Sequence, residues 1–125
     1  MAKTRVFVSF DFDNDKVLKD FIIGQAMLAD SPFEVVDVSL KEAAPETDWE
    51  AKARKAIAGA DKFLIMLGPK TATASGVLKE VAMATELAKP KFQVIGYKNG
   101  SKDWAVAGGG TVYSWNWDNL KKLLG

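Results

Sequence analysis

The strongest structural signal in this sequence is the run Lys62-Phe-Leu-Ile-Met-Leu67, in which every residue after the lysine is apolar. Such runs are typical of a central strand in a parallel sheet, because both faces of that strand are buried. A second segment follows after a short loop, Ser75-Gly-Val-Leu-Lys-Glu-Val-Ala-Met-Ala-Thr-Glu-Leu-Ala-Lys89, with apolar residues at helical spacing. A buried strand followed by an amphipathic helix predicts one βα unit of an α/β domain.

The rest of the chain repeats this alternation of strand-like and helix-like segments. Further strands are predicted at Arg5–Phe10, Phe33–Val38 and Lys91–Tyr97, with a short edge strand at Thr111–Tyr113. Further helices are predicted over Asn14–Ala29, after a capping box at Thr47–Glu50, and from Asn116 to the end. The sequence therefore predicts an α/β, flavodoxin-like fold with a mainly parallel sheet of four to five strands and helices on both faces.

Composition narrows the chemistry that this chain can perform. The 125 residues predict a single domain spanning 1–125, and the sequence contains neither cysteine nor histidine. Thiolate nucleophiles, histidine bases and the usual zinc ligands are therefore excluded.

A net charge of +1 gives no electrostatic reason to expect nucleic acid as a partner. No apolar run is long enough for a membrane span and no signal peptide is evident, so a cytoplasmic location without membrane contact is expected.

One glutamate departs from the charge pattern of the helix at 75–89. Lys79, Glu86 and Lys89 fall on one side, whereas the helical neighbours of Glu80 are apolar, namely Val77, Met83, Ala84 and Leu87. A carboxylate on an apolar stripe is costly unless it is paired or hydrogen-bonded, and such groups cluster at functional sites. Two interpretations are open: a slight rotation of the helix takes Glu80 to water, or Glu80 belongs to a site.

Four segments converge on the carboxyl edge of the predicted sheet, where ligands bind in doubly wound folds. They are 9–15, 37–41, 67–75 and the residues from Tyr97 onward. The turn Asp11-Phe-Asp-Asn-Asp15 is acidic and would repel phosphate, which argues against dinucleotide-binding and flavin-phosphate loops. A phosphate-accepting receiver domain is also disfavoured, because the third strand ends in Leu67-Gly-Pro69 without an aspartate. Asp13 to Asp15 fit helix capping, which leaves Asp11 as the site candidate.

The order of these segments resembles that of TIR domains. Val6-Phe-Val-Ser-Phe10 with its acidic continuation is similar to their first conserved box, and 60–69 is similar to their third strand. The segment 75–84 resembles the part of NAD-cleaving TIR domains that carries the catalytic glutamate. The ending Trp115-Asn-Trp-Asp-Asn-Leu120 is similar to bacterial TIR-like proteins related to the TIR subunit of the Thoeris anti-phage system. The resemblance implies a TIR-like domain over nearly the whole chain.

This resemblance implies that Glu80 is the catalytic carboxylate of an NAD-cleaving enzyme in bacterial anti-phage defence. Ser9, Phe10 and Asp11 would border the substrate pocket and Ser75 would line its rim, with no metal and no cofactor beyond NAD as substrate. The expected reaction releases nicotinamide, with cyclisation or transfer of the ADP-ribose as the two routes to an immune signal.

Two departures from the family pattern leave an alternative function open. The loop at 39–46 lacks the Arg-Asp…Pro-Gly signature, and Gly76 stands where TIR enzymes often have tryptophan. The alternative is a non-catalytic adaptor that self-associates or binds a partner TIR or effector protein. Its motivation includes the aromatic side chains of Trp104, Trp115 and Trp117, which are also compatible with ordinary core packing.

Overall fold

A computed structural model of the chain describes residues 4–11, 17–18, 22, 24, 27, 31, 33–36, 46–97, 100–114, 120 and 122–123, with the backbone alone at 46–49. Five strands are present: β1 (Thr4–Ser9), β2 (Phe33–Val35), β3 (Lys62–Leu67), β4 (Lys91–Ile95) and β5 (Thr111–Ser114). Two helices have defined bounds, α1 (Glu46–Ala58) and α2 (Ser75–Glu86), and two short 3₁₀ turns cover Thr71–Thr73 and Lys102–Trp104.

The strands form one sheet in the order β2-β1-β3-β4-β5, and every neighbouring pair is parallel. This order is that of flavodoxin-like folds. The run at 62–67 forms the middle strand, β3, whose last five residues are all buried. The predicted α/β class, the parallel sheet and the strand count are therefore confirmed.

Apolar side chains fill both faces of the sheet. Phe7 and Phe63 stack in parallel on the face that α1 and α2 cover, with ring centroids 5.6 Å apart. The opposite face carries Leu18, Ile22 and Leu120, which are helical and pack in the second core cluster. Helices therefore lie on both faces of the sheet, as the alternating sequence pattern predicts.

Several predicted boundaries differ from the structure by one to three residues, and differences of one or two residues are usual where helix and strand ends fray. β1 ends at Ser9, β2 ends at Val35 and β4 ends at Ile95, each earlier than the sequence predicts. The capping-box prediction is wrong, because α1 begins at Glu46 and therefore contains Thr47. Asn14, Asn116 and Trp117 lie outside the described residues.

The connection from β4 to β5 contains no α-helix in residues 100–110. This segment, 100–110, is called the strap below. The side chain of Gln93 on β4 is buried, and its amide forms hydrogen bonds with the backbone of the strap. Its Oε1 accepts a hydrogen bond from Val106 N at 2.6 Å, and its Nε2 donates to Val106 O at 3.1 Å and to Gly110 O at 2.8 Å. Gly109 lies so close to the sheet that an added Cβ would come within 2.6 Å of Ile65.

The outer surfaces of α1 and α2 are joined by charged side chains. Lys79 Nζ lies 2.6 Å from Glu50 Oε1, and Arg54 pairs with Glu86. These pairs are exposed, so their contribution to stability is small. None of the helices in the described part of the chain combines the length and the apolar character that a bilayer crossing requires.

Candidate functional site

The candidate site lies at the carboxyl edge of the sheet, between the ends of β1 and β3. The chain leaves β1 toward β2 on one side and leaves β3 toward β4 on the other, so these two strands flank a topological switch point. Ligands of open α/β sheets bind in the crevice at this position. Phe10 and Asp11 follow β1 there, and the loop Gly68–Ala74 follows β3.

Glu80 reaches the end of β1 from the second turn of α2. Ser9, the last residue of that strand, donates a hydrogen bond from its Oγ to Glu80 Oε1 at 2.8 Å. Ser9 is 0% exposed and Glu80 is 2% exposed. The interpretation in which a rotated helix carries Glu80 to water is therefore wrong. Because 71 positions separate the two residues along the chain, the pair exists only in the folded sheet.

The surroundings of Glu80 on α2 are apolar, as its spacing predicts. Val77, Val81 and Ala84 are buried beside it, while Met83 and Leu87 are partly buried. Burial of a carboxylate is tolerated when hydrogen bonds satisfy its oxygens, and hydroxyl donors to ionised acceptors form strong bonds. Ser9 supplies one such donor from a neighbouring element.

The structure separates the other predicted site residues. Strand alternation sends Ser9 toward α2, whereas Phe10 packs in the core cluster of the opposite face. Asp11 is buried directly after these residues, and Ser75 is exposed at the first position of α2. The structure therefore brings Ser9 to Glu80 and takes the ring of Phe10 to the other side of the sheet. The predicted ligand-binding roles of Phe10, Asp11 and Ser75 stay predictions.

The loop between β3 and α2 is stabilised by a side-chain hydrogen bond that was not predicted from the sequence. Thr71 is wholly buried, and its Oγ1 accepts a hydrogen bond from Gly68 N at 2.7 Å. The backbone of Ala74 donates to Thr71 O, which closes the 3₁₀ turn before α2. A threonine two residues after Gly68-Pro69 is a turn signal that could have indicated this role.

Thr71→Val is expected to lower the free energy of unfolding by about 1–3 kcal/mol, because the buried Gly68 N–H loses its acceptor. Thr73→Val is the matched control in the same turn, since Thr73 is exposed and its Oγ1 donates to Lys70 O at 3.2 Å. The control is expected to change stability by less than about 0.5 kcal/mol. Denaturant unfolding of both variants measures the difference, and equal midpoints would contradict a supporting role for Thr71.

The aromatic residues near the end of the chain contribute to packing where the structure describes them. Trp104 is partly buried against the core face of α1 and α2, and its ring meets that of Tyr97 edge to face, with centroids 6.1 Å apart. This position agrees with core packing. Trp115 and Trp117 lie outside the described residues.

Within the described ranges, no three acidic side chains are grouped so that they could hold a metal ion. No protein-family model matches the chain, and no curated protein matches it.

Proposed function

We propose that this chain is a TIR-like signalling domain that cleaves NAD, with Glu80 as the catalytic carboxylate. One observation carries the proposal: Glu80 is buried at the β1–β3 switch point and hydrogen-bonded to the last residue of β1. Carboxylates held in apolar surroundings at a sheet edge where ligands bind are candidates for catalysis. The resemblance of 6–10, 60–69 and 75–84 to TIR segments supports the same residue.

The chemistry requires no histidine, cysteine or metal. The bond between the nicotinamide nitrogen and ribose C1′ breaks, and nicotinamide leaves as a neutral base with the bonding electron pair. The ribosyl group then carries oxocarbenium character, as in glycoside hydrolysis. Glu80 stabilises this cation or holds the ribose hydroxyls. Water captures C1′ and loses a proton to give ADP-ribose, or a ring nitrogen of the adenine captures it to give a cyclic product.

The proposed setting is the cytoplasm of a bacterial cell, where the product acts as a signal in anti-phage defence. The partners would be NAD, further copies of the domain and a TIR or effector protein. The defence role follows from the resemblance of 115–120 to Thoeris-related proteins.

Nicotinamide release tests the proposed activity. The protein is incubated with NAD, alone and with a phage-derived or oligomerising trigger, and nicotinamide is followed by chromatography. Nucleosides offered in the same assay distinguish a deoxyribosyltransferase-like reaction. Turnover that appears with a trigger and requires Glu80 supports the proposal, whereas no turnover under any condition contradicts it.

A non-catalytic adaptor is the second candidate, and an exposed apolar side chain on α2 favours it. An adaptor has no need of an accessible carboxylate, and α2 presents an exposed apolar side chain, Leu78, at 42% exposure. Light scattering of wild type and Leu78→Asp over a range of concentrations tests assembly through this helix. A concentration-independent monomer in both proteins would contradict the adaptor function, whereas assembly alone would leave catalysis possible.

A further inference from the structure

The candidate site is closed in this structure. A catalytic carboxylate has to touch its substrate, yet Glu80 is 2% exposed and its partner Ser9 is 0% exposed. The hydrogen bond between them occupies Oε1 at 2.8 Å. If Glu80 acts on NAD, as proposed above, an element that covers it has to move, and α2 and the end of β1 are the two that carry the hydrogen-bonded pair.

Of the two elements, α2 is the one that begins with residues that stabilise a helix start poorly. β1 is paired with β2 on one side and with β3 on the other. In contrast, the N-cap of α2 is Ala74, whose side chain makes no capping hydrogen bond, and the second helical residue is Gly76. Alanine is a poor N-cap, and glycine is the least favourable helix residue after proline.

Packing opposes this opening and makes the open form rare. Val77 and Val81 are buried on either side of Glu80, so moving the first turns of α2 exposes apolar surface. Local opening of such an element is a rare excursion from the native state. A trigger that binds the open form shifts the balance by its differential affinity for the two forms.

We propose that the Ser9–Glu80 hydrogen bond is an autoinhibitory latch. It holds the carboxylate inside the fold in the resting domain, and an activator releases it by moving the start of α2. This proposal rests on the proposed function, because it describes how that same site is regulated. Loss of the serine hydroxyl opens the site, and a firmer start of α2 keeps it closed.

Carbodiimide coupling of an amine to carboxylates, followed by mass spectrometry of the peptides, measures the accessibility of Glu80 without any need for turnover. Glu86 on the same helix, with a side chain 60% exposed, is the internal reference. We expect Glu80 of the wild type to be labelled at least about tenfold more slowly than Glu86, because labelling requires local opening.

Two variants are expected to change the labelling rate of Glu80 in opposite directions. Ser9→Ala is expected to speed the labelling of Glu80 by about 10- to 100-fold, the factor that corresponds to a lost hydrogen bond to a charged group. Gly76→Ala is expected to slow it by up to about fivefold, the factor that corresponds to the difference in helix propensity. The labelling of Glu86 should stay unchanged in both variants.

Equal labelling of Glu80 and Glu86 in the wild type would overturn the latch, as would an unchanged Glu80 rate in Ser9→Ala. If Ser9→Ala does not fold, Gly76→Ala decides, and the absence of slowing overturns the proposal. Nicotinamide release without a trigger is measured on the same samples and should rise in Ser9→Ala. Lower turnover with unchanged labelling would show that Ser9 only orients Glu80, and this result overturns the latch.

The two proposals fail in different ways. Faster labelling in Ser9→Ala without any NAD cleavage contradicts the proposed function. The latch proposal would survive, and Glu80 would then serve a function other than NAD cleavage. Turnover that requires Glu80, together with unchanged labelling in Ser9→Ala, contradicts the latch and leaves the catalytic assignment in place.

Discussion

Glu80→Gln is expected to abolish NAD cleavage while leaving the domain as stable as the wild type, or more stable, at neutral pH. Glutamine has the same shape, and its Oε1 can still accept the hydrogen bond that Ser9 Oγ donates to Glu80. The substitution therefore removes the cost of a buried charge and keeps the acceptor. Catalysis loses its anionic group, and we expect a decrease in turnover by a factor of about 10²–10⁴.

Two measurements on the same preparations check this prediction: nicotinamide release with a trigger, and the denaturant midpoint at neutral pH. Glu86→Gln is the matched control, because Glu86 lies on the same helix with an exposed side chain that pairs with Arg54. The control should keep both turnover and midpoint close to wild type. A clear loss of stability in Glu80→Gln would identify Glu80 as a structural ion-pair member and contradict the site assignment.

Gln93→Leu is expected to lower the free energy of unfolding by about 3–5 kcal/mol, the range in which severe single substitutions fall. Leucine keeps most of the side-chain volume but bonds none of the three strap atoms that Gln93 contacts, which belong to Val106 and Gly110. Each buried backbone group that loses its partner costs about 1–3 kcal/mol. Within the strap, Val106 O keeps its hydrogen bond from Gly109 N at 3.1 Å, but the 3₁₀ turn at Lys102–Trp104 does not supply an acceptor for Val106 N.

Chemical denaturation and amide hydrogen exchange measure the effect of Gln93→Leu. The amide of Val106 should lose protection, because its hydrogen bond to Gln93 Oε1 is absent in the variant. Lys91→Gln is the control on the same strand: Lys91 Nζ bonds Thr85 Oγ1 at an exposed position, and its loss should cost less than about 1 kcal/mol. Similar midpoints for wild type and Gln93→Leu would show that the strap does not depend on this amide.

The burial of Glu80 makes the catalytic function and the adaptor function compatible with each other. Under the proposed latch, a domain whose Glu80 is buried at rest would stay inert until a partner or a second copy moves α2, so binding and catalysis would occur in sequence. Labelling of Glu80 before and after addition of a trigger follows the first step independently of the second. This separation is useful because an adaptor would assemble without exposing the carboxylate.

Much of the fold could be predicted because its signals are local. The unbroken apolar run at 62–67 predicts a buried central strand, and β3 has these bounds. The stripe along α2 placed Glu80 among apolar neighbours, which the structure confirms. Alternation along β1 could also have placed Phe10, because Val6, Val8 and Phe10 share a face that Ser9 does not.

The capping box at Thr47 shows where local reasoning fails. A Thr-x-x-Glu pattern satisfies the rule for a helix start, yet α1 already begins at Glu46. Gln93 shows the same limit in a strand, because a single polar residue among apolar ones does not reveal which backbone atoms it will bond. Its partners come from the strap, 13 and 17 positions further along the chain.

The amino-acid sequence was enough to establish the alternation of strands and helices, the apolar faces, and that any catalysis must use carboxylates, hydroxyls, amines or bound cofactors. These properties depend on residue type and on spacings of two to four residues, which the backbone geometry of each element fixes. The pairing of Ser9 with Glu80 required the assembled sheet, because it depends on β1 and β3 lying side by side and on α2 crossing above them. The apolar stripe along α2 indicated the surroundings of Glu80, but the near-complete burial of both side chains results from the packing of distant segments.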